Sequence, residues 1–342
     1  MLPQKSGSKQ GMDRPALENS KTSLPISYAR NGLAIIASAL LPPGSKVLLP
    51  AYHCPALVEP FVWAQCDVEF YPLQQDLSID LDVITDKLAK ADAIVLVPFF
   101  GFSQNIASQT QLAREYNCLP IEDLAHAAHA TILHGDYGVT SLQKFYPIST
   151  GGELLIANSI SDTRVTSKWH ALQVPQWQWA GKSFSKQLLA KLGLRREHGP
   201  TAINEFRYFE PTAVSEPMFR SDQVEVTRHD HAQIAASRRN NYQMLDGYLS
   251  NSRLGKSLFP KLGPGDVPYV YPFVLNKAEY FDLIRNMAIP LYRWEEICPS
   301  ECTVSAAYRS RLIQLPCHQD LTANDIKRLI SRLKTIEQAA YK

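Results

Sequence analysis

Short, almost wholly apolar runs alternate with longer amphipathic stretches over the first half of the chain. The runs at residues 46–50, 93–100 and 118–121 lack the apolar–polar alternation of a half-exposed strand, and residues 67–72 (DVEFYP) predict a further strand. Strands lose this alternation when both faces of the sheet are covered, and the stretches between these runs have helical spacing. The pattern therefore predicts an α/β fold, in which helical crossovers connect buried parallel strands.

The first predicted helix follows Ala29-Arg30-Asn31-Gly32 and ends at Pro42-Pro43-Gly44. After residue 152, the run ELLIAN predicts a further strand. A long helix is predicted from about Thr227 to Leu249 and leads into strands at 269–275 and 288–294 and a last helix at 323–336. No element is predicted between residues 162 and 225.

Three regions are expected from these patterns. Residues 1–24 are polar and rich in turn formers, and they predict a flexible arm, with order beginning near Pro25. Residues 25–226 predict a large domain whose mostly parallel sheet lies between layers of helices. Residues 227–342 predict a smaller α+β domain.

Composition and charge exclude several classes of protein. The 342 residues include 35 basic and 33 acidic side chains, so no strong charge favours binding to nucleic acid or to an anionic membrane. No apolar run approaches the ~20 residues that cross a bilayer, and the first residues do not resemble an export signal. Six scattered cysteines are typical of reduced thiols. We expect a cytoplasmic protein without membrane insertion.

Candidate chemistry concentrates where the predicted strands end. In open α/β sheets, ligands bind outside the carboxyl ends of the strands. Asp123 follows a buried strand and could keep a pyridine nitrogen protonated, and Lys144 could condense with an aldehyde. The helix start at Asn31-Gly32 offers backbone N–H groups to a phosphate, and Ser141 offers a hydroxyl. Together these groups predict a site for pyridoxal 5′-phosphate, although each alone is more often a turn, a cap or a solvated side chain.

Several motifs carry a resemblance to a known family. They are RNGLAII, GSKVLLPAYHC, FFGF, IEDLAHA and SLQKFYPISTGGELL, with AIPLYRWEE and LIQLPCHQDLT toward the C-terminus. The chain resembles the DegT/DnrJ/EryC1/StrS aminotransferases from about Ser27 to Ile336, least in the middle. These are pyridoxal phosphate enzymes of the aspartate aminotransferase fold (fold type I) that act largely on nucleotide sugars.

The resemblance implies roles for particular residues. Lys144 is implied as the lysine that binds the cofactor covalently, and Asp123 as the partner of its ring nitrogen. Asn31, Gly32 and Leu33, with Ser141, are implied to contact its phosphate. His126 stands where the family has glutamine. One of Tyr52, His53 and Cys54 takes the place of the residue that stacks on the ring, and His53 is favoured.

The resemblance also implies a homodimer, an amino-acid donor and a keto-sugar acceptor, in the synthesis of a polysaccharide or surface glycan. The chain departs from the family in three places. Leu33 lacks the hydroxyl of the Ser-Gly-Thr motif, Ser141 lies closer to the lysine than is usual, and Met218-Phe219-Arg220 is a reduced form of the asparagine–arginine motif. These departures affect the expected substrate more than the expected cofactor.

Other interpretations remain open from the sequence. A dehydratase, a lyase or a non-catalytic protein of the same fold is possible, although related sugar dehydratases carry histidine in place of the lysine. Ser141 and Lys144 also fit the S-x-x-K pattern of serine acyl transferases, but Pro147 disfavours the required helix and no K-T-G follows. A zinc site from Cys298, Cys302, Cys317 and His318 matches known spacings weakly, so we expect no metal.

Overall fold

A seven-stranded sheet forms the centre of the larger part of the molecule in the computed structural model, which describes residues 17–173 and 206–341. The strands are β1 (Ser20–Ile26), β2 (Lys46–Pro50), β3 (Asp67–Tyr71), β4 (Ala93–Leu96), β5 (Leu119–Leu124), β6 (Tyr137–Ser141) and β7 (Gly152–Ala157). Their order is β1-β7-β6-β5-β4-β2-β3. Strands β2 to β6 pair in parallel, whereas β7 runs antiparallel to both β6 and β1.

Helices pack against this sheet. They are α1 (Ala29–Leu40), α2 (Pro55–Trp63), α3 (Leu81–Leu88), α4 (Ile106–Glu115) and α5 (Arg164–Leu172). Every residue of β4 and β6 is buried, as expected for strands that are covered on both faces. The parallel order directs the carboxyl ends of β2, β4, β5 and β6 to one edge of the sheet, which is where the candidate site lies.

A second, antiparallel sheet lies toward the C-terminus. Its strands, β8 (Gly255–Ser257), β9 (Tyr271–Leu275), β10 (Tyr292–Arg293) and β11 (Leu312–Leu315), have the order β10-β11-β9-β8. The helices of this part are α6 (Arg220–Thr227), α7 (His231–Leu249), α8 (Tyr280–Asn286), α9 (Thr303–Arg311) and α10 (Ala323–Ala340). None of the helices in residues 17–173 and 206–341 is long and apolar enough to cross a membrane.

The predicted α/β class and its mostly parallel sheet are confirmed. The structure differs at β1, since residues 20–24, predicted to belong to a flexible arm, form most of an edge strand. That strand buries only alternate residues near its end, so its sequence is largely polar. The helix predicted from about Thr227 to Leu249 begins instead at His231, because Asp230 accepts a hydrogen bond from the Gln233 N–H and caps α7, while Thr227 ends α6. Residues 1–16 of the predicted arm lie outside the described residues.

Gly32 allows α1 to pack closely against the sheet. A Cβ atom at Gly32 would lie 2.6 Å from Ile26 Cδ1 and 2.8 Å from Val139 Cγ1, closer than such atoms approach. Gly32→Ala is therefore expected to lower the free energy of unfolding by about 1–3 kcal/mol, as overpacking does. Denaturant unfolding measures the change. Gly247→Ala is the matched control, since its Cβ meets nothing within 4 Å in helix α7 and should stabilise the protein by up to about 1 kcal/mol.

Candidate active site

A cavity of about 200 Å³ opens at the carboxyl ends of β2, β4, β5 and β6. Its polar groups come from segments far apart in sequence: the start of α1, the loop after β2, the end of β5 and the turn after β6. Trp294, next to β10, adds a wall from the second sheet. The lining residues that carry the argument are Arg30, Leu33, His53, Cys54, Asp123, His126, Ser141, Lys144, Tyr208 and Trp294.

Asp123 and Lys144 both line this cavity. Asp123 pairs with Val139 near the end of β5, and its carboxylate accepts a hydrogen bond from the Ala125 N–H at 2.9 Å. Lys144 ends a 3₁₀ turn, Leu142–Lys144, that directly follows β6. Parallel pairing of β5 with β6 thus brings the acid and the lysine to one edge of the sheet, as the sequence predicts.

Burial shifts the pKa values of Asp123 and Lys144 in opposite directions. It raises the pKa of Asp123, and the positive charge of Lys144 opposes this effect. It lowers the pKa of Lys144, and the negative charge of Asp123 opposes that effect in turn. An amine whose pKa is lowered is more readily available as a nucleophile and as a base. The cavity therefore favours reactivity at Lys144 while keeping a carboxylate near it.

Glu122 does not share this site, although it precedes Asp123. Side chains alternate along a strand, so Glu122 points to the other face of the sheet. There it is buried and accepts hydrogen bonds from the N–H groups of His134 and Gly135. Burial raises its pKa to about 7. Of the two neighbouring carboxylates, Asp123 alone contributes to the cavity.

His126 lies in a stack of aromatic rings. Its ring centroid is 5.6 Å from that of Phe100 and 4.9 Å from that of Tyr269, and both rings are nearly parallel to it. The Phe100 N–H donates to His126 Nδ1 at 3.4 Å, which assigns the ring proton to Nε2. Burial, and then the charge of Lys144, hold the pKa of His126 well below its usual value. His126 is therefore a neutral side chain that lines the cavity.

The start of α1 differs from the sequence-based prediction in detail. The Asn31 side chain donates to Ser27 Oγ and to the Ala213 carbonyl, both at 2.8 Å, and it does not line the cavity. Gly32 faces the sheet, and both backbone N–H groups of Asn31 and Gly32 donate to the Tyr28 carbonyl. Of the three predicted phosphate contacts on α1, Leu33 alone lines the cavity, and it is apolar.

His53 lines the cavity, but its ring is engaged elsewhere. It stacks on Phe70 with centroids 4.7 Å apart, and its Nδ1 lies 3.0 Å from the Pro50 carbonyl. The Cys298 N–H donates to its Nε2 at 3.3 Å. Burial lowers its pKa to about 4. Phe70 thus covers one face of the His53 ring, and both ring nitrogens lie within hydrogen-bonding distance of backbone groups.

Two contributors were missed by the sequence analysis. Arg30 enters the cavity from the second position of α1, and its only signal was a basic residue before Asn31-Gly32. Trp294 comes from the second sheet, with its ring centroid 4.9 Å from Tyr52 and 5.5 Å from His126. Nothing in the local sequence indicates that Trp294 reaches a site formed by the first sheet.

A second cavity, of about 300 Å³, meets the first at Gln143 and Lys144. Its walls come from both sheets and include Arg238, Tyr269, Gln314 and His318. The buried Arg238 donates to the carbonyl of Lys144 and to those of Pro268 and Tyr269, so it ties the lysine turn to the second sheet. Lys144 thus borders both cavities.

The cysteines considered for zinc do not converge. The Cys302 sulfur accepts the N–H of Leu73 and that of Ser305, while the Cys317 thiol lies against the Pro268 carbonyl. Within residues 17–173 and 206–341, no group of three or more histidine, cysteine, aspartate or glutamate side chains could hold a metal ion. The described cysteines are free thiols.

Comparison with known proteins points to one family. The model of the DegT/DnrJ/EryC1/StrS aminotransferase family matches residues 21–153, which include Asp123 and Lys144. No curated protein sequence matches the chain.

Solved structures share the fold at low sequence identity. An aminotransferase, TlmJ, from Streptoalloteichus hindustanus is 19% identical with a TM-score of 0.68, covering 94% of this chain and 86% of that one. A putative sugar aminotransferase, Spr1654, from Streptococcus pneumoniae in its PMP form is 17% identical with a TM-score of 0.71, over 94% and 87%. PseC from Helicobacter pylori, an aminotransferase in the biosynthesis of pseudoaminic acid, is 14% identical with a TM-score of 0.68, over 94% and 88%. The fold is that of these aminotransferases, fold type I.

Proposed function

We propose that this protein is a pyridoxal phosphate-dependent aminotransferase that moves an amino group from an amino acid to a keto sugar. The match of residues 21–153 to the model of the DegT/DnrJ/EryC1/StrS aminotransferase family supports this proposal. The observation that carries the proposal is the meeting of Asp123 and Lys144 in one cavity at the carboxyl ends of parallel strands. A carboxylate and an amine of lowered pKa are the two groups that this cofactor requires of a protein.

The donor set fits the cofactor. The cavity offers a carboxylate for a ring nitrogen, an amine for an aldehyde and the neutral Nε2–H of His126 for a ring hydroxyl. Apolar side chains such as Leu33 and Val97 complete the walls around these groups. A flat aromatic ligand with a few polar substituents is what such a cavity accepts.

Each residue has a distinct task in the proposed reaction. Bound pyridoxal phosphate supplies an aldehyde for amino-group exchange and a protonated ring that withdraws electrons from the reacting carbon. Asp123 holds the proton at the ring nitrogen by charge pairing. Lys144 Nζ takes the proton from the α-carbon of the amino donor, a role for which its lowered pKa suits it.

A keto sugar as acceptor is supported by two findings. Solved structures of the same fold include proteins named as sugar aminotransferases. The second cavity, which Lys144 also lines, contains polar side chains, among them Gln314 and Gln319. Amide groups suit hydroxyl-rich ligands, since they both donate and accept hydrogen bonds. Synthesis of a surface glycan or polysaccharide is the setting we propose.

We propose that the protein works as a homodimer. The first cavity opens beside Tyr208, and Phe206 lies two residues before it. These two aromatic side chains are 38% and 45% exposed, so they are available to contact a second copy of the chain. Sedimentation velocity at micromolar concentration should give about twice the mass of the chain.

Reconstitution with the cofactor tests the function directly. Purified protein incubated with pyridoxal phosphate is expected to gain a visible absorption band, because the ligand becomes bound to a lysine. Addition of an amino donor such as glutamate should bleach this band, and a keto-sugar acceptor should restore it. The absorption spectrum is recorded at each step. A protein that gains no band, or whose band no amino acid bleaches, would contradict the proposal.

A further inference from the structure

Within the described residues, Arg30 is a cation that lines the candidate cavity without a partner of opposite charge. In residues 17–173 and 206–341 its guanidinium has no carboxylate within 4.0 Å and no hydrogen bond. Its described contact is the ring of Tyr28, whose centroid lies 4.1 Å from the guanidinium carbon. Cations in such settings are normally paired, since removal from water is unfavourable for an isolated charge.

The nearby carboxylates do not neutralise the positive charge of Arg30. Burial lowers the pKa of Arg30, while the more distant charges of Glu216 and Glu59 raise it by less. Glu59 already accepts hydrogen bonds from the N–H groups of Arg207, Tyr208 and Phe209. An anion that entered the cavity would find Arg30 available.

The backbone at the start of α1 also favours the binding of an anion. Tyr28 is the N-cap and supplies no side-chain hydrogen bond. Within the described residues the N–H groups of Ala29 and Arg30 have no acceptor, and both residues line the cavity. Free N–H groups at a helix N-terminus carry partial positive charge that favours a phosphate. Arg30 and Ala29, which carry the guanidinium and these N–H groups, are neighbours in sequence and line the same cavity.

Arg30 and Lys144 line the same cavity, and the layout of the cofactor indicates which of its groups Arg30 would meet. In pyridoxal phosphate the aldehyde and the phosphate-bearing carbon occupy neighbouring ring positions, and the ring nitrogen lies opposite the aldehyde. A ligand whose aldehyde meets Lys144 and whose nitrogen meets Asp123 must therefore direct its phosphate close beside Lys144. Arg30 is near enough to Lys144 for its charge to lower the pKa of that lysine. Ser141, three residues before Lys144, lines the same cavity.

We propose that Arg30 binds the cofactor phosphate through its guanidinium, together with the free N–H groups of α1 and the hydroxyl of Ser141. The inference rests on the proposed function and adds a binding residue to it. Leu33 cannot serve this purpose because it is apolar, and the Asn31 amide is held by Ser27 and Ala213. The charged guanidinium supplies in this chain what those two side chains do not.

Comparison of two ligands tests the role of Arg30. Pyridoxal lacks the phosphate but keeps the aldehyde, the hydroxyl and the ring nitrogen. In Arg30→Gln the Kd for pyridoxal phosphate is expected to rise about 10- to 100-fold, as loss of a charged hydrogen-bonding partner does. The Kd for pyridoxal should stay within about twofold, since Arg30 touches none of its groups. Absorbance titration gives both constants, and Arg30→Lys should recover part of the affinity.

Arg253→Gln is the matched control. Its guanidinium also lies over a tyrosine ring, 4.2 Å from the centroid of Tyr341, but on an exposed surface near the C-terminus. This variant should bind both ligands as the unaltered protein does. An unchanged Kd for pyridoxal also shows that Arg30→Gln is folded.

The outcomes separate this inference from the function on which it rests. If the unaltered protein binds neither ligand, the proposed function fails. If it binds both and Arg30→Gln weakens neither, or weakens both equally, the proposed role of Arg30 is wrong. Binding of uridine diphosphate to the unaltered protein and to the variant, measured by calorimetry, is a third comparison. A variant that loses uridine diphosphate but keeps pyridoxal phosphate would assign Arg30 to a substrate phosphate and overturn the inference.

Discussion

Lys144→Ala is expected to abolish covalent cofactor binding and to reduce transamination by at least about 10³-fold, because the amine acts both as the attachment point and as the general base. Borohydride reduction of the reconstituted protein should leave a phosphopyridoxyl group on the peptide that contains Lys144. Mass spectrometry after proteolysis locates that group. In Lys144→Ala the visible band should be absent and no lysine should carry the modification.

Lys256→Ala is the control for this experiment. Lys256 lies exposed in β8, away from the cavity, and its replacement should change neither the spectrum nor the rate. Modification of another lysine in the unaltered protein would contradict the assignment, and so would full activity in Lys144→Ala. A loss of activity together with a lower melting temperature would instead be a folding defect, so thermal unfolding of both variants is measured in parallel.

The buried strands were predictable because a strand that is buried on both faces is an uninterrupted apolar run in the sequence. The run at residues 93–96 contains no polar residue, and the strand is buried throughout. Strand β1 is not an apolar run, since it lies at an edge of the sheet and exposes residues such as Lys21 and Ser23. Strand β6 contains Gly138 and two hydroxyl residues, so its burial is not visible from hydropathy.

The position of Asp123 was predictable for the same reason, since it lies near the end of the buried strand β5. Lys144 follows β6 and was identified from its motif instead. The α1 contacts and the ring-stacking residue were not predictable. Whether Asn31 faces the cavity depends on Ser27 and Ala213, and the orientation of His53 depends on Phe70 and Cys298. These partners lie as far as 245 residues away in sequence. Tertiary contacts of this kind decide which side of a short motif meets a ligand.

The same reasoning explains the contribution of Arg30. A single arginine at the start of a helix is unremarkable in a sequence, because most such side chains are solvated or paired at the surface. In the fold its side chain is drawn into the cavity beside Tyr28 and Lys144. Its importance arises from the absence of a partner in the described residues, which only the assembled structure reveals.

Asp123→Asn is expected to bind the cofactor but to lose about 10²- to 10³-fold in the rate of transamination. Asparagine keeps an oxygen for the Ala125 N–H, so the turn after β5 is preserved. It removes the negative charge that holds a proton at the ring nitrogen, and electrostatic groups of this kind contribute about that much to catalysis. The pKa of Lys144 should also fall, because Asp123 is the largest influence that raises it. Single-turnover bleaching of the visible band by glutamate, followed across pH, measures both effects.

Glu122→Gln is the matched control, since it makes the same chemical change one residue earlier in β5, on the other face of the sheet. Its amide oxygen still accepts the N–H groups of His134 and Gly135, so the rate should stay within a few-fold of the unaltered protein. Equal losses in both variants would mean that the acidic pair acts through the strand rather than at the ring. An undiminished rate of transamination in Asp123→Asn would show that catalysis does not require this carboxylate. Because alternation alone separates the two side chains, the contrast tests whether the orientation of Asp123 decides catalysis.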